Sequence, residues 1–341
     1  MKKIISLFLV IIILTLSFTG CEYYESRKRI HAVTYENAIF DHAQNLYTYS
    51  GIRMYASQAV VSYFENLNPE EFKENMALLM EESHDFIWCL EPQGKDIILS
   101  EYPNHPERLY AIMDTKIENI PSNFITVSFR EEEGGFLAGY IAAKSTQVGK
   151  VAYLGGKETD ISKKYELGFL AGIEYAAKEL GTYVLCDVKY IGDDYNNALA
   201  KEAALSLYNE GGCDIIFDTL ANGGTGAIEA AEESQKFIIG SGAEQSTYGY
   251  SSIIAVVVKN TKVAVSNLIS KYIDKELKMG VNYEYGIKER MIDLSKTTNR
   301  LNKKVDEDVN NVKYMISKGE IVVPKTLEEL EVFKVNLNTN I

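Results

Sequence analysis

The residues able to do chemistry are few and scattered, and the first question is whether any of them could act together. The four histidines, His31, His42, His84 and His105, never fall three or four residues apart. No helix face therefore gathers two imidazoles for a metal. Asp41 and His42 are adjacent, and adjacent residues point apart on a helix or a strand. Beyond Cys21, the cysteines Cys89, Cys186 and Cys213 form no C-x-x-C pair, so neither zinc ligation nor dithiol redox chemistry is indicated. Cys89 and Cys213 sit in or beside apolar strand-like runs, where a thiol behaves as a small hydrophobe. No G-x-S-x-G elbow occurs, and Gly240-Ser241-Gly242 lacks its flanks. The acids Glu131-Glu132-Glu133 open a helical pattern and match a helix dipole there. Gly223-Gly224-Thr225-Gly226 lies between a strand and a helix, where exposed N–H groups can seat an anion or the edge of a polar ligand. It lacks the Gly-Lys-Ser/Thr of a nucleotide loop and the spacing of a dinucleotide fingerprint, so a plain strand-to-helix turn stays open. Leu154-Gly155-Gly156 reads the same way. The expectation is binding without catalysis: not an enzyme, with no catalytic residue, no metal and no cofactor.

Cys21 is a separate case. Lys2-Lys3, the 15-residue apolar run Ile4 to Phe18 and the small pair Thr19-Gly20 precede it. This is the charged start, apolar centre and small-residue end of a secretory signal, and the run is short of the roughly 20 residues that span a bilayer. Ending on cysteine, with Phe18 in place of the usual Leu, the segment resembles the lipobox of bacterial lipoproteins, which implies diacylation of Cys21. The expected location is the extracytoplasmic face of the cell membrane, held by lipid. A net charge of −13 repels nucleic acid and anionic lipid alike, so no nucleic-acid partner is expected. The basic run Arg27-Lys28-Arg29 reads as a solvated tether beside anionic headgroups.

These residues need elements to position them. The 320 residues beyond Cys21, with 46% hydrophobic and 24% charged content across the chain, suit two globular domains. Strand-like runs at His31–Thr34, Phe86–Leu90, Glu107–Met113, Phe124–Phe129, Lys150–Leu154, Val184–Tyr190, Asp214–Phe217, Phe237–Gly240 and Ile253–Val258 alternate with helical patterns. The helices are expected at Leu46–Leu67, from Pro69, at Glu131–Ser145, Ser162–Leu180, Asn196–Asn209, Gly226–Ser234, Thr261–Tyr272 and Asp306–Ser317. A strand is expected at Glu320–Val323, with a final segment from Thr326. This alternation implies right-handed crossovers and parallel sheets covered by helices, an α/β fold. Tyrosine, with 23 copies against 13 phenylalanines, fills Tyr47, Tyr49, Tyr55 and Tyr63 in one stretch. Most of these will pack or sit wet at the surface.

VSFREEEGGFLAGYIAAKSTQVGKVAYLGG, at 127–156, resembles the signature of the basic membrane lipoprotein family, the substrate-binding lipoproteins of ABC importers that include purine-nucleoside receptors. Support continues in YELGFLAG, IIFDTLANGGTGAIEAAEES, FIIGSGAEQ and VVVKNTKVAV. The resemblance implies a type I periplasmic-binding-protein fold, two Rossmann-like lobes with parallel sheets and a ligand cleft between them. It places residues 31–145 plus about 253–285 in an N-terminal lobe and 148–252 plus about 286–341 in a C-terminal lobe, behind a signal peptide (1–21) and a tether (22–30). It also implies a small polar ligand, an ABC permease as partner and a monomeric receptor. Carried over residue by residue, it nominates Asp41 and Asn45 from the family's Asp-Lys-Ser-Phe-Asn, with Gln44 replacing the stacking Phe. Asp114 in YAIMD and Lys259 in VVVK follow, with Phe217 and Asp218 before the glycine loop. The family's Val-Asp-Ser-Asp reads here Ser241-Gly242-Ala243-Glu244, so a ribose-binding carboxylate is missing. Each lost partner costs roughly 1–3 kcal/mol of nucleoside affinity. Two functions therefore stay open: a solute receptor for import, and a sensory lipoprotein with a degenerate cleft that acts through a protein partner.

Overall fold

The computed structural model describes all residues except 1–26, 38, 40–42, 67, 82–84, 221–223, 243, 244, 246, 296–299 and 340–341. The leader, Cys21 and Asp41 thus lie outside the described residues. The chain divides into two compact units. One holds the described parts of Met1–Ala38, Thr48–Thr126 and Val265–Val281; the other holds Ile39–Tyr47, Val127–Ala264 and Asn282–Ile341.

The first sheet has the order β11-β5-β4-β3-β1-β2. Its strands are β1 (Arg29–Val33), β2 (Val60–Phe64), β3 (Phe86–Cys89), β4 (Leu109–Met113), β5 (Phe124–Phe129) and β11 (Val281–Tyr285). β1 pairs in parallel with β2 and β3, and β3 with β4. Parallel neighbours need crossovers, which α1 (Ala43–Arg53), α2 (Pro69–Glu81) and α3 (Lys95–Glu101) help supply. Phe72, Met76, Leu79 and Met80 of α2 recur at helical spacing and are buried with Ile87, Cys89, Tyr110, Ile112 and Phe124.

The second sheet has the order β12-β10-β9-β8-β6-β7. It comprises β6 (Lys150–Gly155), β7 (Leu185–Tyr190), β8 (Ile215–Asp218), β9 (Phe237–Ser241), β10 (Ile253–Lys259) and β12 (Ile292–Leu294). All its pairs are parallel except β10 with β12. The helices that belong with it are α4 (Glu131–Ser145), α5 (Asp160–Leu180), α6 (Asn197–Asn209) and α7 (Gly224–Ser234). The chain continues with α8 (Thr261–Ile273), α9 (Lys303–Lys318) and α10 (Leu327–Thr339). Two parallel-sheet α/β units are the fold class that the alternation implied.

α4 is buried along almost its whole length, from Glu131 to Ala143, and meets α5 backbone to backbone. A Cβ on Gly135 would overlap the Tyr165 carbonyl oxygen, and one on Gly139 that of Phe169. From the other side, Gly168 sits against the Glu132 carbonyl and Gly172 against that of Phe136. Glycine pairs four residues apart on both helices thus face each other. GGFLAG and LGFLAG are the sequence trace of that contact. Thr159 starts α5 with a capping box to Ser162, and Gly181 ends it at φ 64°.

Three sequence expectations need correction. The helix expected over Leu46–Leu67 stops at Arg53. Turn bonds from Tyr55 to Ile52 and from Ala56 to Arg53 follow, and Val60–Phe64 pairs with β1. Val60, Val61, Tyr63 and Phe64 are the β-branched and aromatic types that suit a pleated surface, and strand pairing overrides the helical period. No strand forms at 320–323. Gly319 caps α9 at φ 75°, and the N–H groups of Glu320 and Ile321 turn back to the Met315 carbonyl, closing the helix instead. The basic run is docked rather than solvated. Arg27 donates to the Ala56 and Ala59 carbonyls at 2.8 and 2.9 Å. Lys28 donates to the Tyr272 carbonyl and lies 3.9 Å above that ring.

Candidate functional site

Charged side chains are buried in succession where α4 begins. β5 ends at Phe129, Arg130 turns the chain, and α4 opens on three acids that are 1%, 4% and 9% exposed. Burial on this scale requires partners, and each acid meets a different environment. Glu131 is bracketed by Lys164 of α5 at 3.2 Å and Lys259 at the end of β10 at 3.5 Å. Lys164 also donates to the Phe129 carbonyl at 3.4 Å. The Lys259 ammonium stands 5.0 Å from the centroid of the Phe129 ring. Burial pulls the Lys164 ammonium down, but Glu131 and Glu132 outweigh it and hold it above the ordinary lysine range. Glu133 takes the Arg130 Nε–H at 2.7 Å and the Ile287 backbone N–H at 2.6 Å. Arg130 in turn reaches Glu289.

Glu132 differs from both neighbours. Its Oε2 is buried with no hydrogen-bond partner among the described residues. Burial pushes its carboxyl up to about 7, against the pull of Lys164. The run that reads as a simple dipole match is a buried network. Lys164 lies 33 residues from Glu131 in sequence, and no local spacing announces the pair. The usable signal was that a helix otherwise so apolar cannot leave three carboxylates unpaired.

A second polar group forms at the carboxyl ends of β8 and β9. Asp218 is fully buried; its Oδ1 accepts the Leu220 N–H at 2.8 Å and its Oδ2 the Gln245 Nε2–H at 3.2 Å. Gly224 begins α7 against these same side chains, and a Cβ there would collide with both. Gly242, where the resemblance expects a carboxylate, has φ 115°, a backbone that side chains rarely adopt. Gln245 had no sequence signal beyond its place after the missing acid.

The other nominated residues are dispersed. Phe217 is 0% exposed, stacked on Phe169 at 5.3 Å and edge-on to Tyr153 and Tyr165, so it is part of an aromatic core. Asn45 is fully buried on α1. Asp114 follows β4 with φ 54°, an uncommon conformation for a residue other than glycine and one that concentrates at functional sites. Within the second unit, Asp218 and Lys259 both stand at carboxyl ends of strands, the edge of an open α/β sheet where ligands bind. An ammonium, a buried carboxylate and an amide can hydrogen-bond hydroxyl, carbonyl and N–H groups of a polar solute. None is arranged as a nucleophile with its base.

Comparison with known proteins agrees with this geometry. Residues 28–327 match the Bmp family, described as ABC transporter substrate-binding protein PnrA-like. Basic membrane protein A1 of Borrelia garinii subsp. bavariensis is 29% identical over 339 residues, covering 98% of this chain and 99% of that protein. Basic membrane protein A of Borreliella afzelii is 31% identical over 260 residues, 75% of this chain and 78% of its own. Among solved structures, an ABC transporter solute-binding protein of Aeropyrum pernix K1 superposes with a TM-score of 0.77 at 20% identity. That superposition covers 91% of this chain and 99% of the other. The chain belongs to the Bmp family of PnrA-like ABC transporter substrate-binding proteins.

Proposed function

We propose that the protein is an extracytoplasmic lipoprotein, anchored through diacylated Cys21, that captures a small polar solute of the nucleoside class and delivers it to an ABC permease without changing it covalently. The observation that carries this reading is the polar edge of the second sheet. Lys259 is steadied by Glu131 over Phe129, and Asp218 is held by Gln245. Asp114, Asn45 and Asp41 are the further ligand contacts in this proposal. A thermal-shift screen of nucleosides, bases and sugars tests it, since any ligand bound only by the native state raises Tm. At least one nucleoside should raise Tm, and Lys259→Ala and Asp41→Ala should abolish the rise; normal nucleoside binding by both variants would refute the assigned contacts.

A sensory role through a protein partner is the second reading. It is favoured by Gly242, whose φ of 115° puts a carboxylate out of reach at that position. A screen in which no solute moves Tm, with the fold intact, selects it.

A further inference from the structure

β7 is an edge strand, hydrogen-bonded among the described residues only to β6. Natural edges are usually blunted by proline, bulges, brevity or charged side chains; β7 runs six residues in unbroken register without a proline, and the charges it carries, Asp187 and Lys189, are of opposite sign. Apolar side chains stand exposed along it, Leu185 64% and Val188 41%, with Tyr183 two residues before it 93% exposed. The bonds from Leu185 N–H to the Gly149 carbonyl and from Ile191 N–H to the Gly155 carbonyl fix the parity of the strand. Odd-numbered residues bond to β6, so Cys186, Val188 and Tyr190 direct their N–H and C=O groups to the open edge.

We infer that the open edge of β7 pairs antiparallel with β7 of a second copy, about a twofold axis at Val188. Pairing requires even residues opposite even residues, and the charges then choose among registers. A twofold at Asp187 sets Asp187 against the partner's Asp187, and one at Lys189 sets lysine against lysine. The register centred on Val188 alone sets Asp187 opposite the partner's Lys189, twice by symmetry, at the closer non-hydrogen-bonded positions where opposite charges attract most. Asp187 already binds Lys150 at 2.8 Å, whereas Lys189 has no ion-pair partner among the described residues. The same register brings exposed Leu185 opposite the partner's Ile191. Ile191 lines a groove of about 550 Å³ beside β7, with Lys189, Leu199, Ala203 and Ser206. This pairing departs from the monomer that the family resemblance implies. The inference does not rest on the ligand reading.

Sedimentation of the full chain in detergent, with empty micelles in excess, provides the test, together with oxidative cross-linking of Val188→Cys. The chain should sediment as a dimer. Lys189→Asp should weaken association by about tenfold or more, with Tm unchanged at a dilution where both proteins are monomeric. Val188→Cys should cross-link to twice the chain mass, because residues paired at the axis lie within disulfide reach. A monomeric wild type, a Lys189→Asp dimer of undiminished strength, or a Val188→Cys chain that stays single would overturn it.

Discussion

The α4–α5 pair and the β1–α1–β2 stretch are built under opposite rules. In the first, two helices touch through their backbones, and nothing but hydrogen fits between Gly139 and the Phe169 carbonyl or between Gly172 and that of Phe136. In the second, a half-exposed edge strand, β2, leans on β1 with Val60, Val61 and Ser62 only partly buried. The difference teaches where a sequence must record its fold. A backbone contact tolerates one residue type at one spacing and leaves a motif, while an edge pairing tolerates many and leaves a pattern that also fits a helix.

The strongest way to break this comparison is Gly139→Leu. A side chain there must displace the Phe169 carbonyl, so the cooperative unfolding transition of the second unit should be lost or reduced by roughly 3 kcal/mol or more in urea denaturation. Glu131→Gln comes next. It leaves Lys164 and Lys259 without their shared carboxylate, and loss of one member of a buried ion pair costs about 3 kcal/mol, readable in the same titration. A cost as small as that of a surface substitution would mean the network is solvated.

Glu132 sharpens the comparison through pH. Its carboxyl rises from 4.5 in the unfolded chain to about 7 in the folded one. A raised carboxyl gives stability that is full below about pH 4.5 and lost as pH climbs through 7, roughly 3 kcal/mol in all. Glu132→Gln should remove that decline, so the variant gains on wild type between pH 5 and pH 8 in chemical denaturation. Parallel profiles for the two proteins would contradict it. The smallest effect belongs to the edge: Tyr63→Ala removes one edge-on contact with Tyr49 at 5.1 Å and should cost about 1 kcal/mol.

Legibility followed the same division. The strand–helix rhythm from Phe86 to Tyr272 was readable because fully buried parallel strands and apolar helices keep their periods. β2, α3, β11 and β12 were missed; they are short, and β2 and β11 are half-exposed along their length, so pairing rather than pattern defines them. At the candidate site, Lys259 and Asp218 came through the family resemblance. Glu131, Glu132, Lys164 and Gln245 did not, because their partnerships join residues 27 to 128 positions apart. Spacing within a motif cannot report a contact made across the sheet.

The central claim is that the polar edge of the second sheet, with Lys259 at its centre, is where a solute binds. Calorimetric titration of wild type and Lys259→Ala with the nucleoside that most raises Tm tests it directly. The account predicts saturable, one-to-one binding by wild type, and at least a tenfold loss in the variant, measured at a temperature where its cooperative unfolding shows it to be fully folded. Equal affinities in the two proteins would contradict it.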